Sequence, residues 1–175
     1  MAKLEISINL EKIRYLIPAL SLIFLMMPFS SVWIFELSGY SLMLNVIQGE
    51  IPVLHFDVDS RLPGTSIAFL SYLHYLSRTL FVISPIVFFF VSILSFFGLF
   101  LGKNGGKIYD YLQYFHLIYF VVTLILGFLG MFNSDPLIEQ TLFSFATYGF
   151  YLSGFVPAFT LLFHESEDPV KESDE

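Results

Sequence analysis

Four stretches of this chain run for twenty residues or more with no charged side chain, or with charges only at their edges, and they bound what it can fold into. They are residues 15–35, 79–102, 111–132 and 142–163. A hydrocarbon layer about 30 Å thick is crossed by roughly 20 helical residues at 1.5 Å each, so every one of the four is long enough to span it. Lys12 and Arg14 precede the first and Glu36 follows it; Arg78 and Lys103 flank the second, Asp110 and the Asn133-Ser134-Asp135-Pro136 turn the third, and an acidic tail closes the fourth. Composition agrees: 56% hydrophobic and 19% aromatic residues against 13% charged leave too few charges to clothe a water-facing surface. The expected fold class is an all-α integral membrane protein, a four-transmembrane-helix bundle with a small β-hairpin in the first extracytoplasmic loop.

The same numbers exclude several classes. A soluble enzyme does not fit, and neither does a nucleic-acid binder: the net charge is −7, with only 8 Lys and Arg to neutralise phosphates. With no cysteine, disulfides, thiolate metal sites, iron–sulfur clusters and S-palmitoyl anchors are ruled out. The first apolar stretch is longer than the core of a cleaved signal peptide and reads as a retained signal-anchor. Lys3, Lys12, Arg14, Lys103, Lys107 and Lys171 fall on one side of four spans, and Arg61 and Arg78 on the other. The positive-inside rule then puts both termini in the cytoplasm of a multi-pass cell-membrane protein.

The connections are unequal. Residues 103–110 form a short cytoplasmic turn and residues 133–141 a short outer loop, so their flanking helices are antiparallel neighbours. Residues 36–78 far exceed the roughly 2–8 residues that join packed helices. Within them Leu54, Phe56 and Val58 alternate with His55, Asp57 and Asp59, and Leu42, Leu44 and Val46 precede Gly49, which predicts a hairpin from Tyr40 to Val58. Ile67, Leu70, Leu73 and Leu76 then recur at helical spacing and predict a protruding extension of the second span. Residues 1–14 read as a cytoplasmic leader and residues 164–175 as a disordered acidic tail. This order of spans and loops is similar to the topology of claudin-like four-span proteins. The outer segment carries no claudin-type Trp and paired-Cys signature, so the resemblance implies topology and no site residues.

Small residues predict where the helices meet, since lipid-embedded helices associate by close approach. Ser92, Ser95, Gly98 and Gly102 line one flank of the second span, Thr123, Gly127 and Gly130 one of the third, and Ala146, Gly149 and Ser153 one of the fourth, with Gly154 and Ala158 as a further pair. Tyr109, Tyr111, Tyr114, Tyr119 and Trp33 read as interfacial belts.

Little in the sequence carries chemistry. His116, well inside the third span, is the single candidate for a cofactor ligand or proton relay; its ordinary reading is a buried histidine with its hydrogen bonds satisfied. His74 and His116 differ in depth and make a poor haem pair, and His164 stands at the membrane exit. No nucleophile elbow, phosphate loop, zinc motif or paired intramembrane carboxylate occurs, so no catalytic residue, metal site or cofactor is expected. The leading expectation is a non-catalytic accessory, scaffolding or interaction subunit in contact with the bilayer and with a membrane-protein partner or a second copy. A small transporter or channel subunit is the alternative, requiring Ser84, Ser92, Ser95, Thr123, Thr147, Ser153 and His116 to converge. A quinone- or haem-associated redox subunit is a third reading.

Overall fold

A computed structural model describes residues 16–32, 35–49, 65–101, 105–132, 143 and 146–162. Among them are five α-helices and one two-stranded antiparallel sheet, in the order α1 (Ile17–Phe24), β1 (Pro28–Val32), β2 (Phe35–Ser38), α2 (Gly39–Gln48), α3 (Thr65–Phe97), α4 (Gly105–Gly130) and α5 (Tyr148–Leu162). A 3₁₀ turn, Gly98–Phe100, follows α3. Two helices are long and apolar enough to cross a membrane: the Tyr72–Phe97 part of α3, and α4.

The first apolar stretch does not form one helix over residues 15–35. α1 begins with Pro18 in its first turn, where the missing N–H costs nothing, and ends after only 8 residues. The stop is local. Met27 precedes a proline and is driven toward extended backbone, and the chain enters β1 at Pro28. Pairing runs Pro28↔Ser38, Ser30↔Leu37, Ser31↔Glu36 and Val32↔Phe35, so Phe29 is the extra residue of a bulge.

The hairpin therefore forms earlier in the chain than the alternation at Tyr40–Val58 predicts. Its expected first half is α2 instead; residues 50–58 lie outside the described residues. Ser38 caps α2 by accepting the Ser41 N–H at 3.2 Å, and Gly49, at φ 77°, ends it in the left-handed region open to glycine. Gly39, Leu42 and Val46 face the interior while Leu44 and Ile47 face out. The helical period outweighs the two-residue alternation because both ends are capped.

The later elements follow the sequence more closely. The extension of the second span is continuous with it, giving a helix of 33 residues, about 50 Å long. α4 starts at Gly105, earlier than 111, so part of the expected turn at 103–110 is its first turns. Gly105 permits this: a Cβ there would run into the Gly98 carbonyl. α5 is shorter than 142–163 because Ala146 pairs with Ser30 in an isolated bridge and the Thr147 N–H donates to the Phe29 carbonyl at 3.1 Å. β1 thus has β2 on one edge and residues 146–147 near the other. Residues 1–14, Trp33, Asp57, Asp59, the 133–141 loop, His164 and the tail lie outside the described residues.

α3 packs along α4, α4 along α5, α5 along α1 and α1 along α3, closing a ring of four helices, with α2 and β1 against it. Residue pairs 98/105, 95/113, 88/116 and 74/130 establish that α3 and α4 are antiparallel. Inside the ring lie Phe29, Phe81, Phe88, Phe120 and Phe150, none more than 1% exposed. The outward faces are apolar as well: Leu20 and Ile23 on α1, Phe90 and Leu94 on α3, Ile118 and Ile125 on α4, Leu152 and Phe159 on α5. Polar side chains are turned inward, among them Ser21, Ser84, Ser92, Ser95, Gln113, His116, Thr123 and Ser153, each 1% exposed or less.

Candidate functional site

Proline creates part of the interior polarity. Pro85 has no N–H for the Phe81 carbonyl, and the Ser84 hydroxyl donates to that carbonyl at 2.5 Å. One residue earlier, the Leu80 carbonyl accepts the Tyr119 hydroxyl from α4 at 2.6 Å. Pro157 does the same on α5: it leaves the Ser153 carbonyl without its helical donor, and Ser21 of α1 donates there at 3.4 Å. Thr160 covers the carbonyl of Pro157 itself at 2.7 Å. Pro85 and Pro157 each leave one buried carbonyl without its helical donor, Phe81 and Ser153, and in both cases a serine hydroxyl takes the donor's place. Tyr119→Phe removes the hydroxyl while keeping the ring; a loss of about 0.5–1.5 kcal/mol is expected, read as an earlier midpoint in denaturant titration of the detergent-solubilised protein.

The polar residues form two separate seams. Between α1 and α5 lie Ser21 and Ser153, with Thr147 donating to the Pro28 carbonyl at the end of that seam. Between α3 and α4 lie Ser92, Ser95, Gln113 and His116. Gln113 Nε2 donates to Ser95 Oγ at 2.7 Å, and the His116 ring rests on Phe88 with centroids 4.3 Å apart. Thr123 is also buried but bonds its own helix, at the Tyr119 carbonyl, 2.8 Å. The residues expected to converge for conduction are therefore divided. Between the two seams Phe150 meets Phe29 at 5.5 Å, Phe81 at 5.0 Å and Phe120 at 5.3 Å, with Phe88 stacked at 6.2 Å.

His116 is 1% exposed, and its Nε2 has no hydrogen-bond partner among the described residues, unlike the satisfied histidine that burial alone predicts. His74 is likewise fully buried, against Gly130. The two histidines are held apart: His74 precedes Phe88, the residue beneath His116, by fourteen helical positions, about 21 Å, so they share no ligand.

Gln113 was not among the sequence candidates, yet its signal was present. Gly105, Tyr109, Gln113, His116, Phe120, Thr123, Gly127 and Gly130 are the buried residues of α4 and recur every three or four positions. Their small and polar members interrupt an otherwise aliphatic and aromatic helix. Tyr109 belongs to this stripe and is 1% exposed, so it is a core residue, and Tyr119 is turned inward with its hydroxyl on the Leu80 carbonyl and its ring against the core; Tyr111 and Tyr114 face outward. The small-residue flanks pack as expected, with Gly130 on His74, Gly149 on Pro28 and Gly154 on the Phe120 ring.

Among the described residues no group of three or more His, Cys, Asp and Glu is placed to hold a metal ion. Comparison with protein-family models, curated proteins and solved structures finds no match to this chain.

Proposed function

We propose that this chain is a four-span integral membrane protein with both termini in the cytoplasm, acting without catalysis as an accessory, scaffolding or interaction subunit. α3 and α4 make two of the crossings. The other two are discontinuous: α1, the hairpin and α2 together make the first, and α5 with the chain leading into it makes the last. Reversed polarity supports the membrane assignment, since all four ring helices turn Leu, Ile and Phe outward and keep Ser, Thr, Gln and His inside. A broken span is compatible with lipid only where its irregular backbone is covered, and here the Pro28, Phe29 and Leu25 carbonyls accept bonds from Thr147 and Tyr40.

The phenylalanine packing carries the choice between a scaffold and a transport path. Five rings occupy the line along which an aqueous route would have to join the two polar seams. A rigid, closed bundle suits a subunit that holds its outer segment against a neighbouring membrane protein or a second copy, in a topology like that of claudin-type proteins. Two measurements test this. Reconstituted vesicles are expected to show no ion or solute flux above protein-free controls, and gentle extraction from native membranes is expected to yield a stoichiometric complex. Sustained flux sensitive to Ser92 or His116 substitution would favour the transporter alternative, and a lone monomer in native extracts would contradict the accessory role.

A further inference from the structure

The α3/α4 seam holds more hydrogen-bonding capacity than its own residues use. Around the Ser95–Gln113 bond, Ser92 Oγ, Gln113 Oε1 and His116 Nε2 are buried with no partner among the described residues; His74 Nδ1 and Nε2, likewise unpartnered, lie at the far end of the same helix pair against Gly130. Ser92, Gln113 and His116 are each 1% exposed or less. These three are also neighbours in register. Gln113 touches Ser95; Ser92 lies three positions before Ser95 on α3 and His116 three after Gln113 on α4. Because the helices are antiparallel, both steps move in the same direction by about 4.5 Å. Phe88, one turn beyond Ser92, carries the imidazole on its face and closes that end.

We propose that this seam binds one water molecule, held jointly by Ser92, Gln113 and His116. Their capacities balance around such a guest. Gln113 Oε1 can only accept, given that its Nε2 donates to Ser95, so it takes one hydrogen of the water. The Ser92 hydroxyl donates to the water oxygen. His116 Nε2 completes the set by accepting the second hydrogen, or by donating in the other neutral tautomer. Three hydrogen bonds are about what a buried water makes, and orphaned polar atoms on adjacent turns of one helix pair are the environment that retains one. The site is a property of the bundle interior and stands whether or not the outer segment has a partner. Its consequence is a hydrated imidazole inside the helix ring, a base and a water side by side.

The test is nuclear magnetic resonance of the full chain in lipid nanodiscs, with the histidine rings and glutamine side chains labelled with ¹⁵N. Assignments come from the resonances lost in His116→Phe and Gln113→Leu. The expected result is a water cross-peak to both the His116 ring and the Gln113 amide, persisting at water-exchange times longer than those of surface groups, and absent in Ser92→Ala/Gln113→Leu. The triple variant Ser92→Ala/Gln113→Leu/His116→Phe leaves none of the three groups orphaned. It is expected to denature no earlier than His116→Phe alone. No water cross-peak at either group in the folded wild type would overturn the proposal. So would a coupling across a direct hydrogen bond from His116 Nε2 to a protein group, or contacts to aliphatic protons of a co-purified lipid in place of water.

Discussion

Gly149→Ala is expected to destabilise the bundle by about 3 kcal/mol or more, at or above the upper range for overpacking. The added methyl carbon would stand 2.5 Å from the Pro28 carbonyl oxygen and 3.1 Å from that of Phe24. Both neighbours are backbone, so no rotamer change relieves the clash. Moving them means breaking the seat of α5 on β1, where Thr147 donates its N–H to the Phe29 carbonyl and its hydroxyl to that of Pro28. Denaturant titration in detergent, with helicity and near-UV aromatic signals followed together, checks this. An unchanged midpoint would show that α5 does not dock against the hairpin. Gly49→Ala is the informative contrast: open space surrounds that position and only its φ of 77° resists a side chain, so a loss nearer 1 kcal/mol is expected.

Phe150→Ala is expected to cost about 3–5 kcal/mol, the usual range for emptying a buried aromatic site. Phe150 is fully buried and is the ring that touches all four of the others. Those partners come from β1, α3 and α4, so the surrounding elements have no common direction in which to collapse. The space left would lie between the two polar seams, and raised water permeability of reconstituted vesicles is a second expected readout. Phe159→Ala, on the outward face of the same helix at 56% exposed, is the control, with an expected change within about 0.5 kcal/mol. Equal effects at the two positions would mean that the phenylalanine cluster is not the core.

The long elements were legible in the sequence because their signals are redundant. Residues 79–102 and 111–132 are uncharged, flanked by charge and lined by small residues, and α3 and α4 form there, with the helical spacing of Ile67 to Leu76 correctly extending α3. Residues 15–35 show how one strong signal hides another. Hydropathy reads them as a single span, while Pro28 imposes an extended Met27 and a strand, and the pull of Phe29 toward the aromatic core depends on residues over fifty positions away. For α2 the alternation of Leu42, Leu44 and Val46 competed with Ser38 and Gly49, and two well-placed caps decided the outcome. At the candidate site, His116 stood out as an ionisable group inside a span. Gln113 did not, because its importance comes from facing Ser95 across a helix pair whose register no single-helix pattern contains.

The central claim is that lipid covers the apolar exterior and that the polar side chains lie inside. With no native cysteine to remove, single cysteines at exposed Phe90, Ile118 and Ile125, and at buried Ser92 and Thr123, can be spin-labelled in nanodiscs and relaxed by oxygen, which concentrates in lipid, or by a water-soluble nickel chelate. Oxygen-dominated relaxation at the first three and little relaxation by either agent at the last two is the predicted result; chelate-dominated relaxation at positions 90, 118 and 125 would contradict it.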